Sequence, residues 1–238
     1  MKVTFPAGRE SAIGVFDNLI DPTICHDFLT TIQNHFSTHS KQGRTMGGVD
    51  THTKRSNDMT FSYPRFAELG IEWTSAMGEI DQSFFNAISS AVAYFKDEYQ
   101  ALNAWTNVED TGFQVQRYEQ RNGYYRPHID SLSGTTTGNR VLAGMIYLNT
   151  VDDGGETRFP LHDISIKPIA GRVVLFPATW THLHEGLTPL SGDKWIINTF
   201  MVNNEQAHNT HDDHHDHLHQ GGHEAHELYQ PEFASNIG

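Results

Sequence analysis

The segment YYRPHIDSLSG, residues 124–134, holds a histidine and an aspartate separated by one residue. On an extended strand, side chains at i and i+2 point to one face, so His128 and Asp130 would present an imidazole nitrogen beside a carboxylate oxygen. One further histidine from another strand would complete two histidines and one carboxylate on one face of an octahedron. Three positions then stay open, which suits non-haem Fe(II) and oxygen chemistry. A lone H-x-D also arises by accident in a chain with sixteen histidines, and short motifs carry that risk. The third donor would come from FPATWTHLHEGLTPLSGDKW, where His182 and His184 fall on a common strand face. Either could instead be a hydrogen-bonded core histidine.

Lys194 sharpens the choice. It opens the apolar run KWIINTFMV, in which Lys194, Ile196 and Asn198 share one face and Trp195, Ile197 and Thr199 the other. A lysine pointing into a barrel is costly unless an anion pairs with it, and a dicarboxylate co-substrate would be such an anion. The competing reading is a strand-end lysine that snorkels to solvent.

The elements that must position these groups fall into zones. Up to about residue 105 the pattern is mostly helical. Asp21 is an N-cap and Pro22 a first helical residue, followed by the stripe Ile24, Phe28, Ile32 and Phe36. A longer stripe runs through Met77, Ile80, Phe84, Ile88, Val92, Phe95, Tyr99 and Leu102. Between them KQGRTMGGVDTHTKRSND reads as a long loop, and loops of that length in a compact domain are often functional. From about 112 to 203 the period becomes that of strands: FQVQRYE, RVLAGMIYLN, RVVLFP and KWIINTFMV, each bounded by turn residues. RVLAGMIYLN is apolar enough to be buried on both faces. Short strands spaced in this way predict a barrel or sandwich.

After residue 204 the chain carries eight of its sixteen histidines, seven acidic residues and no Lys or Arg. So little apolar content cannot offset the entropy of ordering, which predicts a flexible tail able to bind metal loosely. The formal charge of −13 argues against nucleic acid and anionic membranes as partners. The N-terminus has no apolar signal centre and no segment is apolar enough to span a bilayer, so the expected location is the cytoplasm. A single cysteine, Cys25, excludes an internal disulfide and sits in an amphipathic helix pattern as a core residue.

RPHID, MIYLNTVDDGGETRFP, IKPIAGRVVLFP and HEGLTPLSGDKW, in this order, resemble the catalytic domain of prolyl 4-hydroxylase-type Fe(II)/2-oxoglutarate dioxygenases. The likeness spans about 112–203, and FDNLIDPTICHDFL is similar to the helix that opens many members. It implies an α+β fold, a double-stranded β-helix (jelly-roll) core packed against N-terminal helices. One domain would cover 1–203, with 1–111 mainly helical support and 112–203 the catalytic core, and 204–238 would be the tail.

The resemblance also assigns roles. The family's distal histidine precedes its basic residue by ten positions, which selects His184 over His182 as the third ligand and leaves His182 as a neighbour of the site. Fe(II) would be held by His128, Asp130 and His184. The far carboxylate of 2-oxoglutarate would meet Lys194 and Tyr147, with Tyr118 near the iron and Thr199 lining the co-substrate pocket. Ascorbate is implied as a reductant. Arg126 and Trp180, with Arg121, flank the site and could contact substrate. The implied reaction hydroxylates a substrate C–H bond with release of succinate and CO2, on a prolyl residue of a peptide or protein, or on a free amino acid or other small molecule. The loop SLSGTTTGN would be a substrate lid. A different class is a cupin-like or His-rich metal-storage protein built on HLHE and the tail, which leaves His128, Asp130 and Lys194 unexplained.

Overall fold

A computed structural model describes residues 1–105, 108–132, 135 and 137–203. The chain opens with two short strands, β1 (Lys2–Thr4) and β2 (Gly14–Asp17), and then enters helix α1 (Pro22–His39). Asp21 caps α1, its Oδ1 accepting the Thr23 N–H at 2.9 Å, and Pro22 takes a position where no amide partner is needed. Cys25, Phe28, Ile32 and Phe36 are the buried face of α1, so the core reading of Cys25 holds. Three strands follow, β3 (Lys41–Gln42), β4 (Lys54–Arg55) and β5 (Asn57–Phe61), then α2 (Tyr63–Glu68) and α3 (Ser75–Glu98). The stripe predicted through Leu102 is interrupted: α3 stops at Glu98, and Tyr99 (φ −118°, ψ 78°) leads into a 3-10 turn, Gln100–Ala104.

The remaining strands are β6 (Val108–Asp110), β7 (Phe113–Tyr118), β8 (Tyr124–His128), β9 (Arg140–Tyr147), β10 (Thr157–Phe159), β11 (Ile164–Ile166), β12 (Val173–Pro177), β13 (His184–Gly186) and β14 (Lys194–Asn203). They form two sheets. The larger runs β1-β2-β12-β9-β14-β7-β5-β3, with β6 on the far half of β14; the smaller runs β11-β10-β13-β8-β4. Every pairing is antiparallel. Two facing sheets with helices on one of them form a jelly-roll core with helical support, the architecture expected.

The helical reading of 1–111 needs correction. β1 and β2 extend the larger sheet through β12, β5 pairs along β7, and β4 closes the smaller sheet against β8. The segment expected to be one long loop thus supplies an edge strand to each sheet. Its strands are two to five residues long and mostly polar, too short for alternation to register.

Two cores hold the layers. Phe28, Ile32, Phe84, Ile88 and Phe95 from α1 and α3 pack on the outward face of the larger sheet against Val115, Leu142, Ile146 and Ile197. Between the sheets lie Ala143, Met145, Tyr147, Phe159, Val174, Phe176 and Ile196. β9 contributes to both cores, which is why its sequence is nearly all apolar. The β7–β8 hairpin closes so tightly at Gly123 that a Cβ there would lie 2.6 Å from the Tyr118 Cα.

Candidate metal and co-substrate site

β8 and β13 are neighbours in the smaller sheet, and His128 pairs directly with His184. Asp130 lies two residues past His128, just beyond the end of β8, where its N–H bonds the Ala178 carbonyl at 3.2 Å. The three side chains converge. His128 Nε2 is 3.7 Å from Asp130 Oδ1 and His184 Nε2 is 3.5 Å from Asp130 Oδ2. One donor atom from each lies within 4.8 Å of the other two.

Both imidazoles are oriented from behind. His128 Nδ1 is 2.8 Å from the Arg126 carbonyl and His184 Nδ1 is 3.0 Å from the His182 carbonyl. A carbonyl only accepts, so each Nδ1 carries the proton and each Nε2 turns its lone pair toward Asp130. This is the arrangement that fixes the tautomer of metal-bound histidine. Burial, then the neighbouring His184 and Lys54, hold His128 well below the usual imidazole range, so it is a neutral donor at pH 7. Burial raises the Asp130 carboxyl against the opposing pull of His184, Arg140 and Lys54. A cation would reverse that cost. Two imidazole nitrogens and one carboxylate, with no thiolate, fit Fe(II) and leave one side facing the cavity.

That cavity, about 350 Å³, runs from the triad toward β14. Near its other end stands Lys194, 2% exposed, with no carboxylate partner among the described residues. Its Nζ lies 3.5 Å from Thr157 Oγ1 and about equally far from two rings, 5.5 Å from the centre of Tyr118 and 5.4 Å from that of Tyr147. Burial lowers its pKa from the ordinary 10.5 to about 7. A buried ammonium facing a cavity with no carboxylate in contact is a site for an anionic ligand.

The sequence profile of the 2OG-Fe(II) oxygenase superfamily matches residues 113–202. The match spans the strand-rich core and less than half of the chain. Among its relatives, a putative prolyl 4-hydroxylase of Acanthamoeba polyphaga mimivirus is 26% identical over 204 residues, 79% of this chain and 72% of that one. Prolyl 4-hydroxylase 1 of Arabidopsis thaliana is 34% identical over 115 residues, 37% of this chain and only 39% of that one. A prolyl hydroxylase of Trichoplax adhaerens, solved with a peptide fragment of the hypoxia inducible factor oxygen degradation domain, superposes with a TM-score of 0.64. It is 16% identical and covers 82% of this chain and 85% of that one. The donor set fits Fe(II), and a buried lysine that no carboxylate contacts fits the carboxylate of 2-oxoglutarate.

Several expected residues sit elsewhere than foreseen. Tyr147 is buried behind the cavity: its hydroxyl donates to Thr157 Oγ1 at 2.7 Å, so Thr157, not Tyr147, shares the cavity wall with Lys194. Tyr118 does line the cavity, its hydroxyl donating to Gln116 Oε1 at 2.7 Å. Thr199 is on the opposite sheet face from Lys194, Ile196 and Asn198, against α3 with Ile88 and Met201, because alternation along β14 turns it away. Trp180, 73% exposed, and Arg126 are both outside the cavity. Arg121 is in the β7–β8 turn with φ +60°, its N–H bound to the Pro189 carbonyl.

His182 does not share a strand face with His184. It ends a 3-10 turn, Trp180–His182, and its Nε2 donates to the Ser11 carbonyl at 2.6 Å. Glu185 pairs with Arg158. HLHE therefore gives one histidine to the triad, and the cupin-like reading loses His182 and Glu185 as ligands. The lid segment SLSGTTTGN (133, 134 and 136) and the tail (204–238) lie in part or wholly outside the described residues.

Sequence reasoning also missed residues. Lys54 lines the cavity, 2% exposed, with its Nζ 2.7 Å from Asp58 Oδ2. Arg140 donates to the Asp130 carbonyl at 3.2 Å and lies over the Phe200 ring. Gln114, Gln116 and Asn198 form a row of amides on the cavity floor, across β7 and β14. Period-2 alternation in FQVQRYE could have flagged Gln114 and Gln116, since both point to the face opposite Val115.

Proposed function

We propose that this protein is an Fe(II)- and 2-oxoglutarate-dependent oxygenase that hydroxylates a prolyl residue within a peptide or protein, with His128, Asp130 and His184 holding the iron and Lys194 the co-substrate. The carrying observation is the pairing of an oriented N,N,O triad with a buried ammonium, Lys194, that no carboxylate contacts, in one cavity. With Fe(II) and 2-oxoglutarate bound, the site supplies an oxidant: dioxygen is consumed, 2-oxoglutarate becomes succinate and CO2, and a substrate C–H becomes C–OH.

The chain's own residues prepare that event. Lys194 receives the distal carboxylate and takes up a proton when it does so above pH 7. The Thr157 hydroxyl accepts from Tyr147 and from Lys194 and donates to the Met145 sulfur at 3.9 Å, which fixes it beside the Lys194 ammonium. Backbone carbonyls of residues 126 and 182 hold the two imidazoles so that the donors need no reorganisation. Phe159 and Phe176 pack against His184, and the Tyr125 ring stacks on His128 at 3.4 Å between centroids, which keeps water from two sides of the triad. No general base is needed.

The prolyl assignment is supported by the named relatives and by the peptide bound to the Trichoplax enzyme. It is tested with full-length chain, Fe(II), 2-oxoglutarate and ascorbate against a panel of proline-containing peptides and free proline. The expected result is a +16 Da peptide product matched one-to-one by succinate. Modified free proline and untouched peptides would redirect the reading to a small-molecule hydroxylase.

A further inference from the structure

The chain has ten arginines despite a formal charge of −13. Five are paired with carboxylates: Arg9 with Glu98, Arg65 with Glu68, Arg117 with Asp193, Arg158 with Glu185 and Arg172 with Asp17. The other five, Arg44, Arg55, Arg121, Arg126 and Arg140, have no ion-pair partner among the described residues. They are not scattered. Arg44 and Arg140 line the cavity. Arg55 and Arg126 belong to the adjacent strands β4 and β8, and both guanidinium groups lie on the Tyr124 ring, 5.5 and 4.8 Å from its centre. Arg121 stands in the turn that precedes β8. All but Arg140 are exposed.

Local acids do not neutralise this surface. Over 44–55 and 119–126 the carboxylates are Asp50 and Glu119 alone. Asp50 accepts from the Thr53 hydroxyl and the His52 N–H, and Glu119 from Asn122. The positions of the arginines are also fixed in advance. Tyr124 is tied by its hydroxyl to the Thr51 carbonyl at 2.8 Å, Arg55 donates to Asn122 Oδ1 at 2.6 Å, and the Arg126 N–H bonds the Thr53 carbonyl at 2.9 Å. Two guanidinium groups held on one tethered ring present several N–H donors at low entropic cost, which suits carboxylates. An acidic chain that carries five arginines without an ion pair among the described residues on β4, β8, the turn before β8 and the cavity wall has complementarity for an acidic partner. Trp180 lies two residues beyond Ala178, whose carbonyl accepts from Asp130 and Ser131, and offers an exposed aromatic surface of the kind that receives proline-rich peptides.

We propose that the surface formed by β4, β8 and the cavity rim binds an acidic peptide, one carrying Asp or Glu residues on either side of the target residue. This rests on the peptide-hydroxylase reading above and names its substrate class. A polyanion of another kind, nucleic acid, is disfavoured by the charge of the whole chain.

The test measures binding, not turnover. Full-length protein with Mn(II) and 2-oxoglutarate is titrated into a fluorescent peptide with a central proline flanked by Asp and Glu, and into its Asn/Gln counterpart. The acidic peptide is expected to bind at least tenfold tighter at low ionic strength, and the gap should shrink as salt is added. An Arg55→Gln/Arg126→Gln double variant should lose most of the gap, whereas Arg65→Gln, on α2, should keep it. Equal affinity of the two peptides for the wild type overturns the proposal without recourse to any variant. So does a gap that survives in the double variant, or tighter binding of polyuridylate than of the acidic peptide. If the gap is present but no proline peptide is ever hydroxylated, the reaction assigned above fails and the surface stands. If hydroxylation proceeds with equal affinities, the reverse holds.

Discussion

Lys194 makes the co-substrate reading quantitative. Its pKa falls from the ordinary 10.5 to about 7 because burial outweighs the opposing pull of Glu156. That difference corresponds to roughly 5 kcal/mol of disfavour for the charged form. A carboxylate placed beside Nζ removes the cause and pulls the proton back. Binding of 2-oxoglutarate should therefore be coupled to uptake of one proton above pH 7. Below about pH 7 the free protein already carries the charge, and affinity should be flat. Above it, affinity should fall by up to tenfold per pH unit, until the pH reaches the pKa of the ligand-bound lysine. The same shift acts on the fold: between about 7 and 10.5 the unfolded chain binds the extra proton, so this group adds to stability as pH rises through that window and costs most below it. Lys194→Met, uncharged and of similar length, should then raise the melting temperature of ligand-free protein at pH 6. It should also weaken 2-oxoglutarate at least a hundredfold and abolish the pH slope. Isothermal titration of 2-oxoglutarate into Mn(II)-loaded protein at pH 6, 7, 8 and 9, in two buffers of different ionisation enthalpy, reads both affinity and proton count. An affinity independent of pH in the wild type, or a slope retained in Lys194→Met, would refute the reasoning.

Further outcomes follow from particular contacts. Tyr147→Phe removes a buried hydroxyl that binds Thr157 and not the cavity, so it should cost about 1 kcal/mol in chemical denaturation. It should weaken 2-oxoglutarate less than tenfold; a hundredfold loss would mean that Tyr147 touches the co-substrate directly. Gly123→Ala forces a methyl group to within 2.6 Å of backbone and should destabilise by more than about 2 kcal/mol, measured by urea unfolding. Cys25 is fully buried and its thiol is pushed up to about 11. It should resist alkylation at pH 8 in native protein and react at once in denaturant; rapid native labelling would contradict the packing of α1.

What could be read from the sequence follows element length and motif spacing. α1 and α3 carry four or more apolar residues at helical steps, and β9 and β14 are eight and ten residues long, so their period was visible. β4 and β5 were not, because KR and NDMTF are stabilised by pairing with β8 and β7 and not by any pattern of their own. At the site, the spacing of His128, Asp130, His184 and Lys194 placed four groups whose convergence the strand pairing then accounts for. Tyr147 and Thr199 were misplaced for different reasons. Thr199 violates the alternation that already put Lys194 in the cavity. For Tyr147, a buried hydroxyl satisfied by Thr157 has no signature in sequence. Lys54, Arg44, Arg55 and Arg140 escaped notice because a charge reads as a solvated face until its neighbours are known.

The most direct test of the central claim is an anaerobic titration of Fe(II) into full-length protein with saturating 2-oxoglutarate, followed by visible absorption. The account requires a weak metal-to-ligand charge-transfer band that saturates at one iron per chain, disappears in His184→Ala and in Asp130→Ala, and survives truncation after Asn203. No band in the wild type, or an undiminished band in either ligand variant, would contradict it.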